Sequence, residues 1–138
     1  MHRSRWCYLT LDCGDLAAAM AFWSAALGAS PEPVNPASVH VYGRLRVPGT
    51  AVRLLLQVVP ESKLVKNRVH LDLESDDVEA ECTRLVGLGA TRVREQRERG
   101  YHFWVLADPA GNEFCVLETE FPALLAATAP WVADGPAT

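Results

Sequence analysis

Two stretches of this sequence decide its fold: CYLTLDCGD at residues 7–15 and VHLDLESDD at residues 69–77. Both alternate apolar and polar residues, a pattern typical of a β-strand with one buried face. Both end in acidic residues, and His70 in the second stretch falls where Tyr8 falls in the first. A strand pattern that recurs about 60 residues later indicates an internal repeat, and such a repeat governs the fold class.

A helix is predicted after each of these strands. In the first repeat the apolar stripe comprises Leu16, Met20, Trp23 and Leu27, with Asp15 as the N-cap. In the second repeat it comprises Val78, Cys82, Leu85 and Leu88, and the residues Asp76 and Glu79 have the spacing of a capping box. Both helices end in Leu-Gly-Ala, because glycine tolerates the left-handed conformation of a helix end.

Further strands complete the two repeats. In the first repeat Pro31, Pro33 and Pro36 indicate a loop or an irregular edge strand. Strands then follow at residues 40–47 and 51–59. In the second repeat we expect strands at residues 91–96, 101–107 and 112–118, the last two joined by the tight turn Asp108-Pro109-Ala110-Gly111.

Each repeat is therefore predicted to be a β-α-β-β-β module. The first module spans residues 6–59 and the second residues 68–118, with a linker at 60–67 and a C-terminal tail at 119–138. A module of about 55 residues buries little apolar surface alone, so we expect the two to form one domain. The predicted class is α+β, a cup-shaped mixed sheet with the helices on its outer face. The tail carries three candidate docking residues, Leu124, Leu125 and Trp131.

Composition restricts the class of protein. The chain has 17 acidic and 13 basic residues and a net charge of -4, whereas a nucleic-acid partner favours a concentrated positive field. Its longest apolar stretch, residues 16–29, is too short to span a bilayer, and Asp12 and Asp15 interrupt the apolar region of a signal peptide. The four cysteines form no C-x-x-C pair. We therefore expect a cytoplasmic protein with reduced thiols and no nucleic-acid or membrane partner.

Two motifs of the second module resemble those of a known family. Residues 66–72, Lys-Asn-Arg-Val-His-Leu-Asp, and residues 108–115, Asp-Pro-Ala-Gly-Asn-Glu-Phe-Cys, are similar to motifs of the glyoxalase-like branch of the vicinal oxygen chelate superfamily. That superfamily includes glyoxalase I, extradiol dioxygenases and bleomycin-resistance proteins. The resemblance covers residues 6–118 and implies the same two-module fold, but a fold alone does not fix a function.

The resemblance also implies where a metal would bind. In metal-dependent members four ligands, usually His or Gln and Glu, lie on the first and last strands of the two modules. The matching positions here are Tyr8, Gln57, His70 and Cys115, of which only His70 keeps a typical ligand type. We therefore expect no tightly bound divalent metal, unless Asp72, on the same strand face as His70, completes the site.

Strand alternation predicts a polar platform on the second module. Arg68, His70 and Asp72 share one face of the predicted strand, opposite Val69 and Leu71. Arg68 can bind a carboxylate through two hydrogen bonds, and His70 can exchange protons near neutral pH. The alternative is that the three side chains only form a ladder that stabilises the strand.

Other candidates lie on three further strands. Tyr8 and Thr10 share a face that suits either an organic ligand or plain packing. Trp104 either contacts the ligand or packs in the core. Cys115 is either a reactive thiol whose pKa is lowered by His70 or a buried, inert cysteine. The candidate ligand-binding residues are thus Tyr8, Thr10, Gln57, Arg68, His70, Asp72, Trp104 and Cys115.

Two functions of different class remain open. The one we favour is binding of a small organic molecule in the cup without chemistry, because the metal-ligand set is incomplete. The alternative is a metal-dependent lyase, isomerase or dioxygenase of the glyoxalase I or extradiol dioxygenase type, with zinc, nickel or iron. We also expect a homodimer, since members of the family often dimerise and the apolar residues of the tail need a surface to cover them.

Overall fold

The computed structural model describes residues 1–128 and divides the chain into two compact units, Met1–Ser62 and Lys63–Thr138. The elements of the first unit are β1 (Tyr8–Cys13), α1 (Leu16–Leu27), β2 (Ser30–Glu32), a short 3-10 helix (Pro36–Ser38), β3 (Tyr42–Arg46) and β4 (Arg53–Val58). Its sheet has the order β1-β4-β3-β2, in which β1 and β4 are parallel and the other pairs antiparallel. Pro31 lies in β2, at the edge of the sheet, where a missing N–H is tolerated.

The second unit repeats this connectivity. Its elements are β5 (Leu71–Ser75), α2 (Val78–Leu88), β6 (Thr91–Glu98), β7 (Tyr101–Ala107), β8 (Glu113–Glu118) and α3 (Pro122–Thr128). The sheet order is β5-β8-β7-β6, in which β5 and β8 are parallel and the other pairs antiparallel. The predicted fold class, α+β with two β-α-β-β-β modules, is confirmed.

Helix α1 begins and ends as predicted but buries a different stripe. The Asp15 carboxylate accepts a hydrogen bond from the Ala18 amide, and Gly28 closes the helix with a φ of 60°. The buried residues are Ala19, Phe22, Trp23 and Ala26, whereas Leu16, Met20 and Leu27 are only half-buried. The sequence LAAAMAFWSAAL is apolar almost all round, so its periodicity defines no single face.

Helix α2 buries three of its four predicted stripe residues. Val78, Cys82 and Leu85 are buried, but Leu88, in the last turn, is 38% exposed. The predicted capping box is wrong. Asp77, not Asp76, is the N-cap, and its carboxylate accepts a hydrogen bond from the Ala80 amide.

Strand β5 is shorter than the alternating pattern predicts. It begins at Leu71, so Arg68 and Val69 lie in a bend before it, and Val69 is 73% exposed instead of packing against the helix. The segment before β5 is instead held by ion pairs to the start of β8. Lys63 and Lys66 bind the Glu113 carboxylate at 3.3 and 3.0 Å. This pairing lowers the pKa of Glu113, chiefly through the hydrogen bond from Lys66.

The turn between β7 and β8 forms where Pro109 and Gly111 predict it. Asp108 is buried, and its Oδ1 accepts hydrogen bonds from the amides of Ala110 and Asn112. Gly111 has a φ of 89°, which only glycine adopts without strain. Strand β8 therefore starts one residue later than predicted, at Glu113.

The tail contains a helix that the sequence pattern did not predict, α3. Leu124 within it is 61% exposed, and Trp131 lies outside the described residues. The four cysteines, all within residues 1–128, form no disulfide bond. Among residues 1–128, no helix has both the length and the apolar character needed to cross a membrane.

Candidate functional site

One face of the second sheet is covered by α2. Arg92 stacks 4.6 Å from the centre of the Trp104 ring and binds Glu79 of α2 at 2.6 Å, which places Trp104 on the helix side. Because side chains alternate along a strand, Leu106 of β7 and Val116 of β8 lie on that side too. Trp104 therefore packs against the helix, as the second of its two sequence-based interpretations predicts, which corrects its inclusion among the candidate ligand-binding residues.

The opposite face carries a pocket. The strand register sets Asp72, Cys115 and Val105 side by side, and the next row contains Leu117 and Phe103. The cavity over this face measures about 310 Å³. It is lined by His70, Asp72, Glu98, Arg99, Tyr101, His102, Phe103, Cys115, Leu117, Glu118 and Glu120. A ligand here would meet an apolar floor with polar groups at both ends, one formed by His70, Asp72 and Cys115 and the other by charged residues at the β6–β7 hairpin and the end of β8.

One polar end is a cluster of His70, Asp72 and Cys115, the His-Asp-Cys cluster. His70 Nε2 lies 3.2 Å from Asp72 Oδ1, and the ligand atoms of all three residues lie within 4.8 Å of one another. The His70 and Asp72 side chains are 42% and 51% exposed, whereas Cys115 is buried. The cluster is therefore exposed to solvent at His70 and Asp72 and buried at the Cys115 thiol.

The thiol of Cys115 is not activated. Burial raises its pKa to about 11, and the charge of Asp72 and a hydrogen bond to its carboxylate act in the same direction. Of the two interpretations left open by the sequence, the structure favours the inert cysteine, because a reactive thiol needs a lowered pKa.

The β6–β7 hairpin forms the rim of the pocket. Its two turn residues, Arg99 and Gly100, have φ values of 52° and 81°, as a tight two-residue hairpin requires. Tyr101 follows directly and lines the pocket beside Phe103. Sequence reasoning missed these aromatic residues. The alternation in YHFWVLA separates Phe103 from Trp104, but only the register reveals which of the two faces the helix.

The segment before β5 positions His70. The Asn67 side chain accepts a hydrogen bond from the Glu113 amide at 3.0 Å, at the start of β8. The motif Lys66-Asn67-Arg68 thus has a structural role, since Lys66 and Asn67 attach the segment to the strand that carries Cys115. Arg68 is exposed, lies outside the strand and is absent from the pocket lining, which corrects its predicted place beside His70 and Asp72 on a strand face.

The remaining candidates lie in the first unit. Tyr8, Thr10 and Gln57 lie on the sheet face that alternates with the buried leucines, and the Tyr8 hydroxyl accepts a hydrogen bond from Arg44 at 3.2 Å. In this sheet Thr10 pairs with Leu55, as Asp72 pairs with Cys115 in the second. Leu55, not Gln57, is therefore the counterpart of Cys115, and no polar ligand occupies that position.

Comparison with known proteins identifies the family. The model of the glyoxalase-like domain matches residues 8–117, most of the chain.

The chain belongs to the glyoxalase-like domain family.

This result confirms the resemblance to the vicinal oxygen chelate superfamily. No curated protein matches this glyoxalase-like chain.

Solved structures of similar fold have several functions. A lactoylglutathione lyase from Agrobacterium tumefaciens is 24% identical, with a TM-score of 0.60, over 84% of this chain and 94% of that one. A fosfomycin resistance protein from Listeria monocytogenes, in complex with manganese(II) and a dihydroxypropylphosphonic acid, is 15% identical over 92% and 99%, with a TM-score of 0.66. An antibiotic-binding protein from Streptomyces sp. CB03234 is 22% identical over 87% and 99%, with a TM-score of 0.63. At these identities the likeness supports the fold alone.

Proposed function

We propose that this glyoxalase-like domain binds a small organic molecule in the pocket of the second module. The observation that carries the proposal is the cavity of about 310 Å³, which has an apolar floor and polar groups at both ends. Its volume lies in the range of small-molecule sites, which are mostly apolar with a few convergent polar groups. The antibiotic-binding protein of similar fold is consistent with such a role.

The lining indicates the kind of ligand. Phe103, Tyr101 and Leu117 offer stacking and apolar contact, which suits an aromatic or otherwise apolar molecule. Asp72 accepts hydrogen bonds, so a donor group on the ligand suits the polar end formed by the His-Asp-Cys cluster. The lining contains four carboxylates and one guanidinium, that of Arg99. This excess of negative charge disfavours anionic ligands.

A thermal-shift screen of neutral aromatic compounds, followed by calorimetric titration of the hits, tests this function. Replacing Phe103 by alanine removes part of the floor, so affinity should fall by about tenfold or more. Phe121→Ala is the matched control, because Phe121 is 58% exposed and does not line the pocket. Hits whose affinity is the same in Phe103→Ala and in the unaltered protein would contradict the proposal.

A second candidate is a metal-dependent lyase, isomerase or dioxygenase. The observation that favours it is the His-Asp-Cys cluster, which offers three ligand atoms where the sequence analysis counted one suitable residue. The test is elemental analysis of the purified protein. Zinc, nickel or iron in near-stoichiometric amount, lost in His70→Ala, would support this candidate over a purely binding role.

We further propose a homodimer in the cytoplasm. Cysteines that form no disulfide bond are consistent with a reducing compartment. Exposed apolar residues such as Leu64 and Leu124 support self-association. Light scattering tests the dimer, because a dimer has twice the mass of one chain.

A further inference from the structure

We propose that the pocket of the second module selects an arylalkylamine, an aromatic molecule that carries a protonated amine on a short chain. This inference rests on the proposed function and deepens it, because it names the charge of the ligand and the end of the pocket where that charge lies. The cavity and its apolar floor define the site. The charged groups of its lining define which ligands it accepts.

Three carboxylates line the end of the pocket at the β6–β7 hairpin. They belong to Glu98, Glu118 and Glu120 and form the carboxylate end. The guanidinium of Arg99, in the hairpin turn, lines the same end and compensates one of them. An excess of negative charge therefore remains where the pocket opens to solvent, and it attracts a cation.

The carboxylate end lacks partners within the protein. His102 binds Glu95 at 2.9 Å through Nε2, and its Nδ1 lies 3.9 Å from Glu118. In the described part of the chain, Glu98 and Glu120 form no ion pair, and the rest of the chain contains no lysine, arginine or histidine. The ammonium group of a ligand would supply the positive charge that the protein does not.

The opposite end of the pocket is closer to neutral. Asp72 is paired with His70 at 3.2 Å. Lys66 and Arg94 place positive charge beside Cys115 in the same cluster. The two ends therefore differ in electrostatic character, and the ammonium group suits the carboxylate end.

An aromatic ring lies beside the unpaired carboxylates. The strand register sets Tyr101 directly opposite Glu98 across the hairpin, and both residues line the pocket. An aromatic face attracts an ammonium group within about 6 Å, with an energy similar to that of an exposed ion pair. This pair of residues therefore offers a ligand amine both a ring and a negative charge.

The strand spacing sets the shape of the ligand. Phe103, in the floor, and Tyr101, at the carboxylate end, are two residues apart on β7, or about 7 Å at the usual rise of a strand. A ring that packs on Phe103 needs only a short alkyl chain to bring an amine to Tyr101. This spacing points to an arylalkylamine instead of a compact cation.

Calorimetric titration with one series of compounds tests the charge. Tryptamine, tryptophol and indoleacetate share a ring but end in an ammonium, a hydroxyl and a carboxylate group. We expect tryptamine to bind at least about tenfold more tightly than tryptophol, and indoleacetate to bind most weakly. The preference for tryptamine should shrink when salt is raised from about 10 to about 500 mM, because salt screens exposed charges.

Variants locate the cation. Glu98→Gln and Glu120→Gln should each weaken tryptamine binding about threefold or more and leave tryptophol binding unchanged, because they remove only charge. Arg99→Asn should strengthen tryptamine binding, since it removes a positive charge and asparagine tolerates the left-handed backbone of this turn. Glu61→Gln is the matched control, because Glu61 is exposed and does not line the pocket.

The outcomes separate this inference from the proposed function. Equal affinities for tryptamine and tryptophol, or tryptamine binding that neither Glu98→Gln nor Glu120→Gln weakens, would overturn the charge selectivity. If both compounds still lose affinity in Phe103→Ala, the binding function stands without it. If no compound of the series binds, the inference fails, and the screen of neutral aromatic compounds then decides the function alone. Glu98 and Glu120 are exposed, so their variants should fold, and unchanged tryptophol binding verifies an intact pocket.

Discussion

The Asp77 carboxylate accepts a hydrogen bond of 3.0 Å from the Ala80 amide and so caps helix α2. Replacing a capping aspartate by alanine typically costs about 1 kcal/mol. We expect Asp77→Ala to lower the free energy of unfolding by about that amount in urea titrations. Asp76→Ala is the control and should change it by less than about 0.5 kcal/mol. A larger effect at Asp76 than at Asp77 would restore the capping box that the sequence pattern predicts.

The buried thiol of Cys82 makes stability depend on alkaline pH. Burial raises its pKa from 9.0 to about 11, so the folded state holds the proton over a range in which the unfolded state releases it. The thiol therefore stabilises the fold below about pH 9, and this contribution is lost as the pH rises towards 11.

In urea titrations across that range, the unfolding midpoint should fall as the pH rises. The fall should be less steep in Cys82→Ala than in the original protein. The alanine variant lowers the midpoint slightly at neutral pH, because it leaves a small cavity. Cys7→Ala is the control, since Cys7 is exposed. An identical slope in the original protein and in Cys82→Ala would refute the role of the thiol.

Among the candidate residues, local alternation succeeded where the strand itself was regular. His70 lies directly before β5 and not in it, but its spacing of two from Asp72 still brings the two side chains within 3.2 Å, and both line the pocket. Their contact with Cys115 follows from the pairing of β5 with β8, more than 40 residues apart, and the exclusion of Trp104 follows from the pairing of β7 with β8. No property of a single strand reveals such a register.

At the scale of elements, α1 packs so closely on β3 that a side chain at Gly43 would overlap Met20 Sδ. Because the overlapping atoms belong to the flexible Met20 side chain, which can move, the overpacking should cost about 1 kcal/mol, the low end of the usual range. We expect Gly43→Ala to destabilise the protein by that order in thermal and urea unfolding. Gly14→Ala is the control, because no atom lies within 4 Å of the position of its Cβ.

A double variant separates overlap from other effects of the substitution. If Met20 is the obstacle, Met20→Ala should offset part of the cost, and the pair should be less destabilising than the sum of the single variants. Additive free energies would indicate that Gly43 is required for another reason.

The elements themselves were largely predictable, and their ends were not. Asp15 and Gly28 mark the limits of α1 by local chemistry that acts within one turn, so the sequence is sufficient there. Strand β5 loses its first residues because Asn67 and Lys66 bind β8, a contact between distant segments. The sequence analysis overlooked a local signal for helix α3: the helix begins at Pro122, a residue suited to a first helical turn, and continues through alanines and leucines, which favour a helix.

At the scale of the whole molecule, the internal repeat carries the fold. The two modules share strand order and parallel pairing, and the recurring strand and Leu-Gly-Ala helix end were visible in the sequence. Their sites have diverged: the second module sets Asp72 beside Cys115, whereas the first sets Thr10 beside Leu55. A repeat preserves the backbone because both halves need the same packing, but it places no such constraint on the exposed face of each sheet.

The exposed apolar residues of the second unit lead to the final prediction, self-association. Leu64, Val65 and Val69 are 89%, 77% and 73% exposed and lie within six residues of one another, a grouping that water disfavours. Light scattering should therefore give twice the 15.1 kDa of one chain at micromolar concentration. Replacing Leu64 and Val65 by serine should shift the mass towards the monomer, because their burial against a second chain would contribute about 1.5–3 kcal/mol for each side chain.

Val93→Ser is the matched control, since Val93 is 47% exposed on β6, away from this group. A monomeric mass for the unaltered chain would refute the dimer. A dimeric mass that persists in the double serine variant would instead place the interface elsewhere, and Leu124→Ser then tests α3, where Leu124 is 61% exposed. The assay thus distinguishes the segment before β5 from the tail as the surface that a second copy covers.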